Sequence, residues 1–235
     1  MLSLIRSVRR QFREWAHRGH AEPDRFDIDW YAIPYNRIAI VNLLLSNHVE
    51  GRYLEIGCFW NALFDAVMAR HKTGVDPVRG GTHRMPSDDY FRSHTGEKFH
   101  VVFIDGLHTY EQVRRDVVNS LQALEPGGWI ALHDLHPRTW IEEHVPDISI
   151  GRTWTGDVWK VAFELATTPG LDFRLFKIDH GVGVVRKLAN DVQLVDRQAE
   201  LGPQRFRYFC DHYGELPIVD HEAGREWILG HLNDR

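Results

Sequence analysis

Between Val101 and Pro137 the chain reads VVFIDGLHTYEQVRRDVVNSLQALEPGGWIALHDLHP, two short apolar runs flanking one amphipathic stretch. The runs His100–Asp105 and Trp129–His133 have the length and β-branched content of buried strands. Between them Val113, Val117, Leu121 and Leu124 recur at helical spacing. Thr109 stands at the N-cap, Gln112 at the capping-box position, and Pro126, Gly127 and Gly128 end the helix.

The same alternation extends in both directions. Residues 1–20 form an amphipathic pattern, with Leu4, Ile5, Val8, Phe12 and Trp15 on one face and Arg6, Arg9, Arg10 and Arg13 largely elsewhere. An irregular segment with Pro23 and Pro34 leads to a helix over Arg37–Leu45. Arg52–Gly57 reads as a strand, Ala62–Arg70 as a helix and Thr73–Pro77 as a strand end. Residues 78–99 suggest a short helix and a weak strand near Met85. Residues 135–156 lack a period and carry Trp140 and Trp154, the pattern of a loop or lid. Asp157–Ala166 reads as a helix. Asp172–Ile178 and Gly181–Val185 stand too close together to be anything but an antiparallel pair. Helical segments around Arg205–Tyr213 and Glu222–Leu232 close the chain.

Alternating strands and helices predict an α/β fold, a doubly wound, mostly parallel seven-stranded sheet with one antiparallel edge strand. The expected organisation is an N-terminal helical extension over 1–50, a domain over 51–187 and a C-terminal helical extension over 188–235. At 235 residues with net charge −5, the composition is that of an ordinary globular protein, without the basic balance of a nucleic-acid binder. Two cysteines make no disulfide scaffold, and no apolar run approaches the roughly 18 residues of a membrane span. With no signal-peptide pattern, a cytoplasmic protein is the expectation. The basic N-terminal helix has two readings: packing on the domain or a second copy, which would make a homodimer, or contact with an anionic membrane surface or a recruiting partner.

The chemistry collects where strands end. The first run stops at Asp105 and His108, the second at His133, Asp134 and His136. A parallel sheet places both sets along one edge, where ligands bind in open α/β folds. An imidazole titrates near neutrality, so His108 can accept a proton at working pH.

This order, with FIDGLHTYEQV, PGGWIALHD and GDVWK, resembles the class I S-adenosylmethionine-dependent methyltransferases over about Arg52 to Arg186, and within them bacterial small-molecule and sugar O-methyltransferases. The resemblance implies an enzyme that binds S-adenosylmethionine and methylates a hydroxyl of a small molecule or sugar. LEIG takes the place of the first cofactor motif, with Gly57 at the methionine end and Glu55 orienting its ammonium group. Asp76 would hold the ribose, and Ser87 and Asp88 stand where the class contacts adenine. Asp105 takes a metal-binding place and His108 that of the base, while His133 and Asp134 occupy further metal-ligand positions. Two readings of His133 stay open. It either draws in a borderline metal in place of Mg²⁺, or hydrogen-bonds Asp134 from outside the ligand set.

One departure stands out: Gly57 is followed by Cys58, Phe59, Trp60 and Asn61, where the class has further glycines. Either Asn61 takes a left-handed backbone, as Asn tolerates, or the loop holds the cofactor less closely. GDVWK marks the family, with Asp157 suited to the start of its own helix. His136 either faces substrate or is an ordinary loop residue, and His180 and Gly181 form a turn. A nicotinamide-dependent oxidoreductase fits LEIG and Asp76 superficially but lacks G-x-G-x-x-G. A catalytically inactive binding or scaffold protein on the same fold is the other alternative.

Overall fold

The computed structural model describes residues 2–23, 26–48 and 50–233. In chain order the helices are α1 (Leu2–Ala16), α2 (Arg37–Leu45), α3 (Ala62–Ala66), α4 (Ser87–Ser93), α5 (Tyr110–Ala123), α6 (Trp140–Glu143), α7 (Lys160–Thr167), α8 (Gln198–Leu201), α9 (Phe206–Asp211) and α10 (His221–Asn233). The strands are β1 (Arg52–Ile56), β2 (His71–Val75), β3 (Phe99–Ile104), β4 (Leu124–Leu132), β5 (Leu171–Phe176), β6 (Val182–Lys187) and β7 (Ile218–Val219). They form one sheet in the order β2-β1-β3-β4-β6-β5-β7.

Both faces of this sheet are covered, which explains why its strands read as continuous apolar runs. Leu54, Ile56, Val102 and Ile104 point to one face, where Val113, Val117 and Leu121 of α5 and Phe163 of α7 meet them. Tyr53, Val101, Phe103 and Ala131 point to the other, against Ile40, Val41 and Leu44 of α2 and Ile228 and Leu232 of α10. The period of two within β1 and β3 divides the core into these layers.

The α/β class, the seven strands and the mostly parallel sheet match expectation, but the positions of two strands differ. The antiparallel strand β6 does not lie at an edge. It pairs with β4 on one side and β5 on the other. β7, from the stretch read as a helical tail, pairs parallel with β5 and forms the edge. No strand forms near Met85, where the contact is a single bridge from Val75 to His83. The sheet thus continues into residues 188–235, and α9 sends Phe206 and Phe209 into the main core.

Side chains distant in sequence set several helix ends. The α3 helix stops at Ala66 rather than Arg70 because Asn42 of α2 takes over its end. Asn42 Oδ1 accepts from Met68 N–H at 2.7 Å and Nδ2 donates to the Ala66 carbonyl at 3.2 Å. Toward the N-terminus, Val8, Phe12 and Trp15 of α1 remain 57–65% exposed, so this apolar face is not packed on the domain. Leu4 and Ile5 of the same pattern have side chains outside the described residues. Among the described residues no helix is long and apolar enough to cross a membrane.

Candidate active site

Register builds the site. Ile56 of β1 pairs with Val75 of β2 and with Ile104 of β3, and Ile104 pairs with Leu132 of β4. One residue further along each strand stand Asp76, Gly57, Asp105 and His133, in a row across four neighbouring parallel strands. Backbone bonds continue the alignment: Gly57 N donates to the Val75 carbonyl, Asp105 N to Ile56 and His133 N to Ile104. These residues sit on a cavity of about 720 Å³, with Arg37, Phe59, Ser87, Gly106, His108, Asp116 and Asp134 also in its wall.

At the β3–β4 end the polar groups converge. His108 Nε2 lies 3.3 Å from Asp105 Oδ1, and its Nδ1 lies 3.2 Å from Asp134 Oδ2. His133 Nδ1 stands 3.5 Å from Asp105 Oδ1 and 3.2 Å from Asp134 Oδ1. Asp134 adopts a positive φ of 63°, unusual for a residue other than glycine, and a strained backbone of this kind marks functional positions. Burial opposes charge on His108, His133 and Asp105, yet the attraction of opposite charges prevails. His108 is pushed up to about 9 by Asp105 and Asp134, His133 is raised well above the usual imidazole range by the same two carboxylates, and Asp105 is held well below the usual carboxylate range.

Two residues with no sequence signal complete the cluster. Arg37, the first residue of α2, and Asp179, in the β5–β6 turn at φ 43°, form an ion pair at 3.0 Å. Arg37 Nη1 lies 2.6 Å from His133 Nε2. His133 Nε2 also lies 3.4 Å from Asp179 Oδ1, while Nδ1 faces the carboxylates of Asp105 and Asp134. That buried Nδ1 makes no hydrogen bond of acceptable geometry.

The cluster fits a divalent cation. One ligand atom each from Asp105, His108 and Asp134 lie within 4.8 Å of one another. The grouping contains His108 where sequence suggested His133, but the orphaned His133 Nδ1 faces the same carboxylates. Two carboxylates with imidazole nitrogen suit Mg²⁺ with waters, or a borderline ion such as Mn²⁺.

The other end of the cavity holds the remaining expected residues, not all as foreseen. Asp76 Oδ1 accepts from the backbone N–H groups of Val78 and Arg79 at 2.7 and 2.8 Å, and Oδ2 from Phe59 at 2.9 Å. Asn61 does take the left-handed conformation, at φ 62°, and its Oδ1 accepts from Gly81 N–H at 2.7 Å. A Cβ on Gly57, itself at φ 88°, would collide with the Asp105 carbonyl, so this glycine is demanded by strand packing as well as by space for a ligand.

Glu55 does not line the cavity. It points to the opposite face, where Tyr53 Oη donates to it at 2.6 Å and burial pushes it up to about 7. Ser87 does line the cavity, but as the first residue of α4 rather than its cap. Its hydroxyl donates to Asp116 Oδ1 at 2.6 Å. Asp88 turns outward to Arg115 at 3.3 Å. Asp116, unremarked in sequence, sits within the buried stripe of α5 between Val113 and Val117. Its Oδ2 has no partner, and burial pushes it up to about 6.

GDVWK proves to be a brace for the D-G-x-H turn. Asp157 Oδ1 accepts from the first amide of α5, Tyr110 N–H, at 2.8 Å, the service expected of Thr109, whose side chain makes no cap bond. Lys160, fully buried, donates to Asp157 Oδ2 at 2.8 Å and to the Gly202 carbonyl at 2.9 Å. Gly156, at φ 64°, presses against the His108 carbonyl. Asp157 therefore serves α5, and α7 begins only at Lys160. From the lid segment Trp154 stacks on His108, with centroids 5.3 Å apart, while Trp140 is largely buried in the core. His136 does not face the cavity. It is buried among Phe26, Trp30 and Phe209, with Nε2 2.8 Å from Tyr213 Oη.

Residues 38–135 match the family model described as a methyltransferase domain. Among solved structures, a Klebsiella pneumoniae protein assigned as an O-methyltransferase shares 15% identity over 77% of this chain and 90% of its own, with a TM-score of 0.50. The O-methyltransferase TomG of Streptomyces achromogenes, solved with S-adenosylmethionine, shares 14% over 77% and 90% at 0.49. The amino pentose methyltransferase CalS10 of Micromonospora echinaspora shares 15% over 71% and 100% at 0.44. No curated protein matches the sequence. The likeness to the Klebsiella protein shows that the two chains share a fold.

Proposed function

We propose, from the match of residues 38–135 to a methyltransferase-domain model, an S-adenosylmethionine-dependent O-methyltransferase acting on a hydroxylated small molecule or sugar. The observation that carries the reading is the row Asp76, Gly57, Asp105 and His133 along one sheet edge, with His108 and Asp134 closing its far end.

In this reading the cofactor lies along the row. Asp76 accepts from a ribose hydroxyl with the one lone pair that its three loop bonds leave free. Asp116 Oδ2, unpartnered beside Gly106, is the acceptor for the adenine amino group, and Ser87 holds its carboxylate in place. Glu55 sits behind Gly57, outside the cavity, and makes no contact with the methionine end.

The acceptor hydroxyl approaches from the His108 side. Its oxygen attacks the sulfonium methyl, the carbon–sulfur bond breaks to leave S-adenosylhomocysteine, and the hydroxyl proton passes to His108. Asp105 and Asp134 hold that imidazole protonated at rest, so it becomes a base only when another positive charge compensates them. Asp105 and Asp134 would hold a divalent cation, which would lower the hydroxyl's pKa. Trp154, stacked on His108, fixes the plane of the ring.

The experiment is calorimetric titration with S-adenosylhomocysteine, with and without Mg²⁺ or Mn²⁺, on the natural chain and on Asp76→Asn. Micromolar binding, weakened about tenfold in the variant, is the expected result. No binding with either metal would replace this reading with the inactive scaffold.

A further inference from the structure

Away from the cavity, three imidazoles converge where the N-terminal helix meets the lid segment. His17 follows α1, His20 closes the single turn Arg18–His20, and His144 follows α6. His20 Nδ1 lies 3.1 Å from His144 Nε2. The rings of His17 and His144 meet edge to face with centroids 4.6 Å apart, and one nitrogen from each histidine lies within 4.8 Å of the other two.

Two features separate this group from a chance meeting of histidines. The first is spacing: a tetrahedral ion with metal–nitrogen bonds of 2.0–2.1 Å holds its ligand nitrogens about 3.3 Å apart, close to the His20–His144 separation. The second is the tautomer of the buried member. His144 Nδ1 lies 2.9 Å from the Pro146 carbonyl, so Nδ1 carries the hydrogen and Nε2 offers its lone pair to the group. An Nδ1–H held by a backbone carbonyl is the support that metal-bound histidines use. No ion pair joins a carboxylate to any of the three among the described residues.

We propose that His17, His20 and His144 form a binding site for a borderline divalent transition ion, Zn²⁺ foremost, that clamps the N-terminal helix to the lid. Three neutral nitrogens and no carboxylate select such an ion over Mg²⁺, which separates this site from the Asp105–Asp134 cluster. The clamp reinforces sparse contacts, Arg13 donating to the Asp147 carbonyl at 2.8 Å and Glu14 with Arg152 at 4.0 Å. It also reaches toward the chemistry. The His144 carbonyl accepts from Trp154 Nε1–H at 2.8 Å, and Trp154 is the residue stacked on His108.

The test uses full-length protein without an affinity tag, stripped with a chelator and titrated calorimetrically with Zn²⁺. The natural chain, His17→Ala, His20→Ala and Asp134→Asn are compared. His17 and His20 are at least partly exposed, so their removal spares the fold. The expected result is one tight ion that persists in Asp134→Asn and weakens about 100-fold or more in each histidine variant. Hydrogen exchange of residues 6–20 should slow on Zn²⁺ addition only in chains that keep all three histidines. Absence of binding in Asp134→Asn, or binding unchanged in His17→Ala and His20→Ala, would leave only a hydrogen-bonded histidine pair and overturn the proposal.

Discussion

His108 Nδ1 stands 3.2 Å from Asp134 Oδ2, joining the start of α5 to the end of β4. Replacing His108 with alanine removes the proposed base and leaves the Asp76 and Asp116 ends of the cavity untouched. Turnover should fall about 10²–10⁴-fold while the Kd for S-adenosylhomocysteine changes little. Turnover within a few-fold of the natural enzyme would remove His108 from that role.

Gly156 should tolerate no side chain. At φ 64° an alanine is strained, and its Cβ would press on the His108 carbonyl. Gly156→Ala is expected to cost about 2–4 kcal/mol in urea unfolding and to lower turnover by displacing the His108 turn. A variant as stable and active as the natural chain would mean that the brace has no such function.

Asp179→Ala tests the support behind His133. It leaves Arg37 without its carboxylate partner at a half-buried position. The pair is partly solvated, so the expected loss is about 1–2 kcal/mol rather than that of a buried pair. Turnover should fall too, since Arg37 also contacts His133. Unchanged turnover with reduced stability would confine the pair to a structural role.

Burial pushes Asp116 up from 3.8 to about 6. Between these values the folded chain binds more protons than the unfolded chain, so this residue's contribution to stability falls as pH rises through that window and stays low above it. The natural chain minus Asp116→Asn should therefore show a difference in unfolding free energy that shifts by on the order of 1–3 kcal/mol between pH 4 and pH 8. Asp116→Asn also puts a donor where the proposed adenine contact calls for an acceptor, so S-adenosylhomocysteine should bind about tenfold more weakly. Equal pH slopes and equal affinity would defeat both assignments.

Much of the site could be read from local pattern. Asp76, Asp105 and His133 were legible because each ends an apolar run, and a parallel sheet aligns such ends at one edge. The left-handed Asn61 was legible because few residues other than glycine accept that backbone. Asp116 carried a signal that went unread, a carboxylate inside the apolar stripe of a helix. Arg37 and Asp179 carried none, because their meaning lies in a pairing across 142 positions.

Periodicity and strand-end chemistry were enough to establish an α/β sheet and the edge at which its polar strand-end residues gather, because both depend on neighbours within a few residues. Three-dimensional packing decided the rest. It placed β6 inside the sheet and recruited Ile218–Val219 as the seventh strand, because hydrogen-bond partners between strands are chosen across the whole chain. It turned GDVWK from a helix start into a cap for another helix, and it sent Glu55 behind the cavity wall. It also brought His17 and His20 to His144. Such contacts depend on how separate elements are packed, and no local spacing encodes that.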